Sequence, residues 1–187
     1  KPGQIYESNA RALAAILADM HIHEVRRLHL ADDKEAILRG LAEALPGADV
    51  FITVGGVSVG DYDYVKEALA ELGVRQVYWR VNMKPGQPNY FGVKECGSGP
   101  RTLVFGLPGN PVSAQVSFHQ LVRPALLGMM GVERVERQLI SATLAPSSSS
   151  CSWVIAPAVR AASFASRSAM LAAWVVFRAR ISAMSSC

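Results

Sequence analysis

Three short segments of this 187-residue chain hold residue types suited to anionic ligands. In Gly55-Gly56-Val57-Ser58-Val59-Gly60-Asp61-Tyr62-Asp63-Tyr64, three glycines within six residues let the backbone turn tightly and present N–H groups to an anion. Ser58, Asp61 and Asp63 add side-chain chemistry to that turn. Asp63 suits either the N-cap of a helix opening at Tyr64 or a carboxylate holding a divalent cation, and the two roles are compatible. Asp61 reads more simply as a solvated turn residue. Lys84 precedes Pro85-Gly86-Gln87-Pro88, a rigid setting that a free surface lysine does not need, which favours anion binding. The third segment is Pro108-Gly109-Asn110-Pro111, with Ser113 close behind; Ser58 and Ser113 are turn and helix-start hydroxyls or phosphate donors.

Other chemistries find less support. His21, His23, His29 and His119 have no Cys or carboxylate at metal spacing and read as surface or packing residues. Cys96, Cys151 and Cys187 are far apart and form no CxxC, so neither a disulfide framework nor a zinc site is indicated. The net charge of +4 comes from residues 146–187, which carry four Arg and no acid, while residues 1–145 balance fifteen basic against fifteen acidic side chains. A nucleic-acid partner therefore has no support from the body of the chain. The longest apolar run, Met170 to Phe177, is too short to span a bilayer, and no secretory signal is evident, so the expectation is a soluble, cytoplasmic protein with no membrane partner.

The elements that would position these segments follow from periodicity. Ser8 is placed to cap a helix with Leu13, Ile16, Leu17 and Met20 on one face. Glu24 to Leu30 predicts a strand, and Asp32 or Asp33 caps a second helix carrying Ile37, Leu38, Leu41 and Leu45. Asp49 to Val54 is a buried strand, Val65 to Leu72 a helix, and Val74 to Val81 a strand beside which Tyr78 and Trp79 pack. Asn89 to Lys94 and Arg101 to Phe105 flank Gly97-Ser98-Gly99-Pro100 as a hairpin, and Val112 to Met130 is one long helix with Pro111 in its first turn. This alternation predicts an α/β fold with a mostly parallel sheet covered on both faces. Strand ends at Val54, Val81 and Phe105 then deliver all three segments to one edge.

Gly3-Gln4-Ile5-Tyr6-Glu7-Ser8-Asn9, Gly55-Gly56-Val57-Ser58-Val59-Gly60 with Asp63-Tyr64, Lys84-Pro85-Gly86 with Pro88, and Leu107-Pro108-Gly109-Asn110-Pro111-Val112-Ser113 resemble the molybdopterin molybdenumtransferase family of MoeA and the gephyrin E-domain. The likeness covers about residues 2–131. It implies a three-layer α/β/α, doubly wound, MogA-like molybdopterin-binding fold. It also implies insertion of molybdate into adenylylated molybdopterin with release of AMP, assisted by Mg²⁺ or another divalent cation, in a homodimer. Asp63 and Lys84 would be the catalytic residues, with Asp63 at the metal. Gly55, Gly56, Ser58, Gly60, Pro85, Gly86, Gln87, Pro88, Pro108, Gly109, Asn110, Pro111 and Ser113 would bind substrate. A sister family of pterin adenylyltransferases reads Gly-Gly-Thr-Gly where this chain has Val57-Ser58, and a non-catalytic pterin-binding or dimerising scaffold is the other alternative.

The sequence departs from the family at three places. Gln87 stands where many members carry a second lysine, which makes the molybdate pocket less positive. The family's domain opens with a strand bearing a Thr-Gly-acid motif that has no counterpart here, which would leave an unpaired edge or gap in the sheet. Residues 132–145 are a linker or the start of a C-terminal β domain. Residues 146–187, half Ser or Ala, resemble no such domain, and the expectation is a fragment whose tail is read in a shifted frame, poorly ordered or helical from Met170 to Arg180.

Overall fold

The computed structural model describes residues 8–31, 33–55, 64–97, 99–133, 135 and 174–179, the last as backbone only. The order is α1 (Asn9–Asp19), β1 (Val25–Leu30), α2 (Lys34–Ala44), β2 (Val50–Val54), α3 (Tyr64–Glu71) and β3 (Val74–Trp79). There follow β4 (Tyr90–Lys94), β5 (Thr102–Leu107), α4 (Pro111–Ser117), a π-helical turn (Phe118–Val122), α5 (Arg123–Met129) and β6 (Trp174–Ala179).

Helix α1 buries Ala10, Leu13 and Leu17, an i, i+3, i+7 stripe. Ser8 stands at its N-cap position but does not cap: its backbone is already helical, φ −96° and ψ −26°, and its side chain makes no cap hydrogen bond. Asp33 does cap α2, in extended backbone, its carboxylate accepting from the Ala36 amide at 2.9 Å. The long helix expected over 112–130 is one helical run with a π turn inside it. Pro124 has no N–H to give the Gln120 carbonyl, and the chain answers by widening the turn, with the Arg123 amide bonding to the Phe118 carbonyl five residues back.

The six-stranded sheet has the order β1-β6-β2-β5-β4-β3. Strand β2 is buried throughout because it meets helices on both faces. Val50, Ile52 and Val54 pack with α1, α4 and α5, around Leu13, Leu17, Phe118 and Leu126. Phe51 faces the opposite way, with Ile37, Leu41, Val65 and Leu69 of α2 and α3. The fold is thus α/β with three layers, as expected, but the sheet is mixed. Only β2 and β5 are direct parallel neighbours; β4 and β6 run against the rest. The β3-β4-β5 meander accounts for one reversal, since short connections join antiparallel strands.

The second reversal corrects the tail and the gap. Strand β6 lies between β1 and β2, antiparallel to both, with Val25 and Val50 both opposite Ala179. No gap is left at that position, and 174–179 is extended rather than helical. Residues 136–173 and 180–187 lie outside the described residues. Among the described residues no helix is long and apolar enough to cross a membrane.

Candidate functional site

The strand registers align three carboxyl ends in one row: Trp79 pairs with Tyr90, Tyr90 with Gly106, and Gly106 with Thr53. The connections leaving β2, β3 and β5 therefore start along the same edge, where α/β sheets bind ligands. Strand β3 stops at Trp79, two residues earlier than expected, because Arg80 adopts φ +69° and turns the chain out of the sheet.

These connections are joined by specific contacts. The Gly55 amide donates to the Leu107 carbonyl at 2.9 Å, and a Cβ placed on Gly109 would lie 3.6 Å from the Gly55 Cα. Gly55, at φ +94°, starts the Gly-rich turn in a backbone region that favours glycine. Asn110 caps α4, its Oδ1 accepting from the amides of Val112 (3.0 Å) and Ser113 (3.2 Å). Pro108 is buried, Ser113 is half-buried, and Gly109, Asn110 and Pro111 are exposed.

The segment after β3 docks on the same helix. Gly86, at φ +112°, is buried so closely that a Cβ there would sit 2.7 Å from both Ser117 Oγ and Met83 Cε. Lys84, Pro85 and Gln87 are exposed, Pro88 is half-buried, and the Lys84–Pro85 bond is cis. Among the described residues the Lys84 ammonium has neither an ion pair nor a hydrogen bond; the two ion pairs present are Lys34–Glu67 and Arg101–Glu95, both exposed. A cation with no partner among the described residues therefore stands on a loop anchored at Gly86. At the end of β3, the Trp79 ring carries Lys66 Nζ at 4.1 Å and the Arg80 guanidinium carbon at 4.3 Å from its centroid. This adds positive charge at the β3 end of the row.

Three residues that sequence reasoning did not assign to the site hold it together. Asn9 Nδ2 donates to the Gly109 carbonyl at 2.8 Å and ties α1 to the third segment; its place in the Gly3–Asn9 motif was the available signal. Asn89 Nδ2 donates to the Gly86 carbonyl and, at 3.0 Å, to Ser117 Oγ. Ser117 follows Ser113 by one helical turn, a spacing that marks a shared face; nothing in the sequence singles out Asn89. Tyr90, which follows it in β4, is 2% exposed, and burial pushes its phenol up to about 12. The half-buried Tyr78 phenol is raised for the same reason.

Gly56, Ser58, Gly60, Asp61 and Asp63 lie outside the described residues. Among the described residues no group of three or more His, Cys, Asp or Glu is placed to hold a metal ion. The Gly55, Val112 and Ser113 amides are already engaged, so the described part of the site offers the half-buried Ser113 hydroxyl and cations, a set that suits anions.

The family described as "Probable molybdopterin binding domain" matches residues 1–128. The chain belongs to this family. It is 42% identical over 131 residues to a molybdopterin molybdenumtransferase of Haemophilus influenzae, covering 69% of this chain and 30% of that protein. A molybdopterin molybdenumtransferase of Nostoc sp. is 37% identical over 134 residues, covering 72% of this chain and 30% of the relative. Among solved structures, that of a molybdopterin biosynthesis MoeA protein from Pyrococcus horikosii matches with a TM-score of 0.56 and 33% identity, over 72% of this chain and 32% of that one. The chain of this molybdopterin-binding family member thus spans about 30% of the length of these curated relatives.

Proposed function

We propose that this chain carries the substrate-binding core for molybdenum cofactor biosynthesis, in the step that inserts molybdate into adenylylated molybdopterin and releases AMP. The observation that carries this reading is the gathering of three loops on one sheet edge. The Gly55 turn is tied to the Pro108–Pro111 loop, the Lys84 loop is tied to α4, which that third loop opens, and the Lys84 ammonium has no partner among the described residues. The names of the relatives agree with it.

In this reading the pterin phosphate and the nucleotide lie against the Gly-rich turn and the Pro108–Ser113 segment, whose Val112 and Ser113 amides are taken by Asn110 and whose Ser113 hydroxyl remains to donate. Lys84 neutralises charge on molybdate or phosphate, and Gln87 donates without adding charge. Asp63 orients the water that cleaves the phosphoanhydride, or holds the divalent cation that assists it; bound there, such a cation would offset charge on the leaving AMP. The domain so proposed spans residues 1–131, followed by a linker at 132–145, and pairs with a second copy.

The test is binding of AMP and of adenylylated molybdopterin to the purified chain by calorimetry, with a full-length relative as control. Expected is saturable binding that weakens roughly ten- to hundredfold in Lys84→Ala, the loss of one charge-assisted contact. Failure of the chain to bind either ligand while the relative binds both would end the reading. A second reading is a binding module without turnover, which needs only the anion-binding loops described above. AMP release from the adenylylated pterin decides between the two.

A further inference from the structure

We infer that Asn89 is the positioning residue of the Lys84 loop and, through it, sets where the loop's cation meets an anionic substrate. The inference rests on the reading of Lys84 given above.

Asn89 is 1% exposed and sits where residues 80–88 rejoin the sheet at β4. Apart from the Met83 amide's bond to the Val81 carbonyl, the loop's hydrogen bonds reach Asn89 directly or at one remove. Its carbonyl accepts from the Arg80 amide at 2.7 Å, closing the loop across its neck. Its amide donates to the Gln87 carbonyl at 3.0 Å, and the same carbonyl accepts from the Val81 amide at 3.0 Å. Its side-chain Nδ2 uses both protons, one on the Gly86 carbonyl and one on Ser117 Oγ of α4. The loop is thereby fixed to itself and to the helix whose other end is capped by Asn110.

The Lys84 ammonium has no partner among the described residues. Its position is inherited from the backbone, and the backbone is held from Gly86 and Gln87 inward by Asn89. Few side chains do this job. Aspartate has the same shape but no donor for the Gly86 carbonyl, against which it places negative charge; only the Ser117 hydroxyl can turn to donate to it. Leucine has the volume but no polar atoms. Glutamine is one methylene longer in a site without room.

The experiment compares Asn89→Asp and Ser117→Ala with wild type by amide hydrogen exchange, and measures molybdate and AMP affinity with Lys84 present and in the K84A background. N89D should raise exchange at the Arg80 and Val81 amides about tenfold or more while the β2–β5 ladder keeps its protection. It should weaken anion binding about tenfold when Lys84 is present and add no further loss in K84A. S117A removes one tether with little change in volume and should move both readouts in the same direction by less. It keeps the test open if N89D does not fold. Unchanged exchange at Arg80 and Val81, or equal weakening with and without Lys84, overturns the inference. A wild-type chain that binds neither anion refutes the substrate reading and the positioning role with it, whereas wild-type binding that survives N89D intact refutes the positioning role alone.

Discussion

Gly86→Ala tests the packing on which the candidate site depends. At φ +112°, an L-residue there pays a backbone cost of about 1–2 kcal/mol. The new methyl would also lie 2.7 Å from Met83 Cε and from Ser117 Oγ. The methionine end is flexible and can move aside. Ser117 is fully buried on α4 and cannot, so overpacking adds about 1–3 kcal/mol. The expected loss is therefore about 2–5 kcal/mol, a large share of the ~5–15 kcal/mol that stabilises an ordinary domain. Urea unfolding followed by far-UV circular dichroism measures it. The structure also predicts the sign of a coupling. Ser117→Ala alone should cost about 1 kcal/mol through the lost hydrogen bond to Asn89, yet in the G86A background it should recover about 1 kcal/mol by removing the clashing hydroxyl. If G86A lies within about 0.5 kcal/mol of wild type, or if the two losses simply add, the packing described for this loop is wrong.

Two further outcomes concern neighbouring elements. Asn110→Ala should cost about 1 kcal/mol in urea unfolding, because two α4 amides lose their acceptor, and Asn110→Asp should retain most of that; equal losses would deny the cap. Tyr90 is protonated in the fold up to about 12, against ~10 when unfolded, so its contribution is complete below about pH 10 and is lost as pH rises toward about 12. Stability should fall by roughly 1–3 kcal/mol across that interval in wild type and by less in Tyr90→Phe, with Tyr78 sharing in what remains. Identical slopes for the two proteins would refute the assignment.

What could be read from the sequence was what repeats or punctuates. The stripe Ile37–Leu41, the apolar run at 50–54 and the Gly97–Pro100 turn between β4 and β5 each announce their element. The three loops were found because glycine and proline mark unusual backbone. The ties between them were not, because Asn9, Asn89 and Ser117 act at sequence distances of 100 and 28 residues, and their types alone fit any surface turn. Ser8 looked like a cap, but only backbone dihedrals decide whether a hydroxyl turns toward the helix. Pro124 marks a helix end locally, yet packing of Phe118, Val122 and Leu126 carries the helix through it. Strand direction was the least legible property, since alternation of apolar residues is the same whichever way a strand runs.

Strand β6 has a consequence in time. Strands β1 and β2 are made before the strand that stands between them, Trp174–Ala179. At roughly 5–20 residues per second, the ribosome needs about 6–24 s after Val54 before Trp174 is added. For that interval β2 can pair with β5 once it emerges, while its other edge and the facing edge of β1 wait with their backbone groups open. An interior position of the sheet is thus filled only after both of its neighbours exist, and in the interval a nascent chain is open to pairing with a neighbour at a place the finished sheet closes.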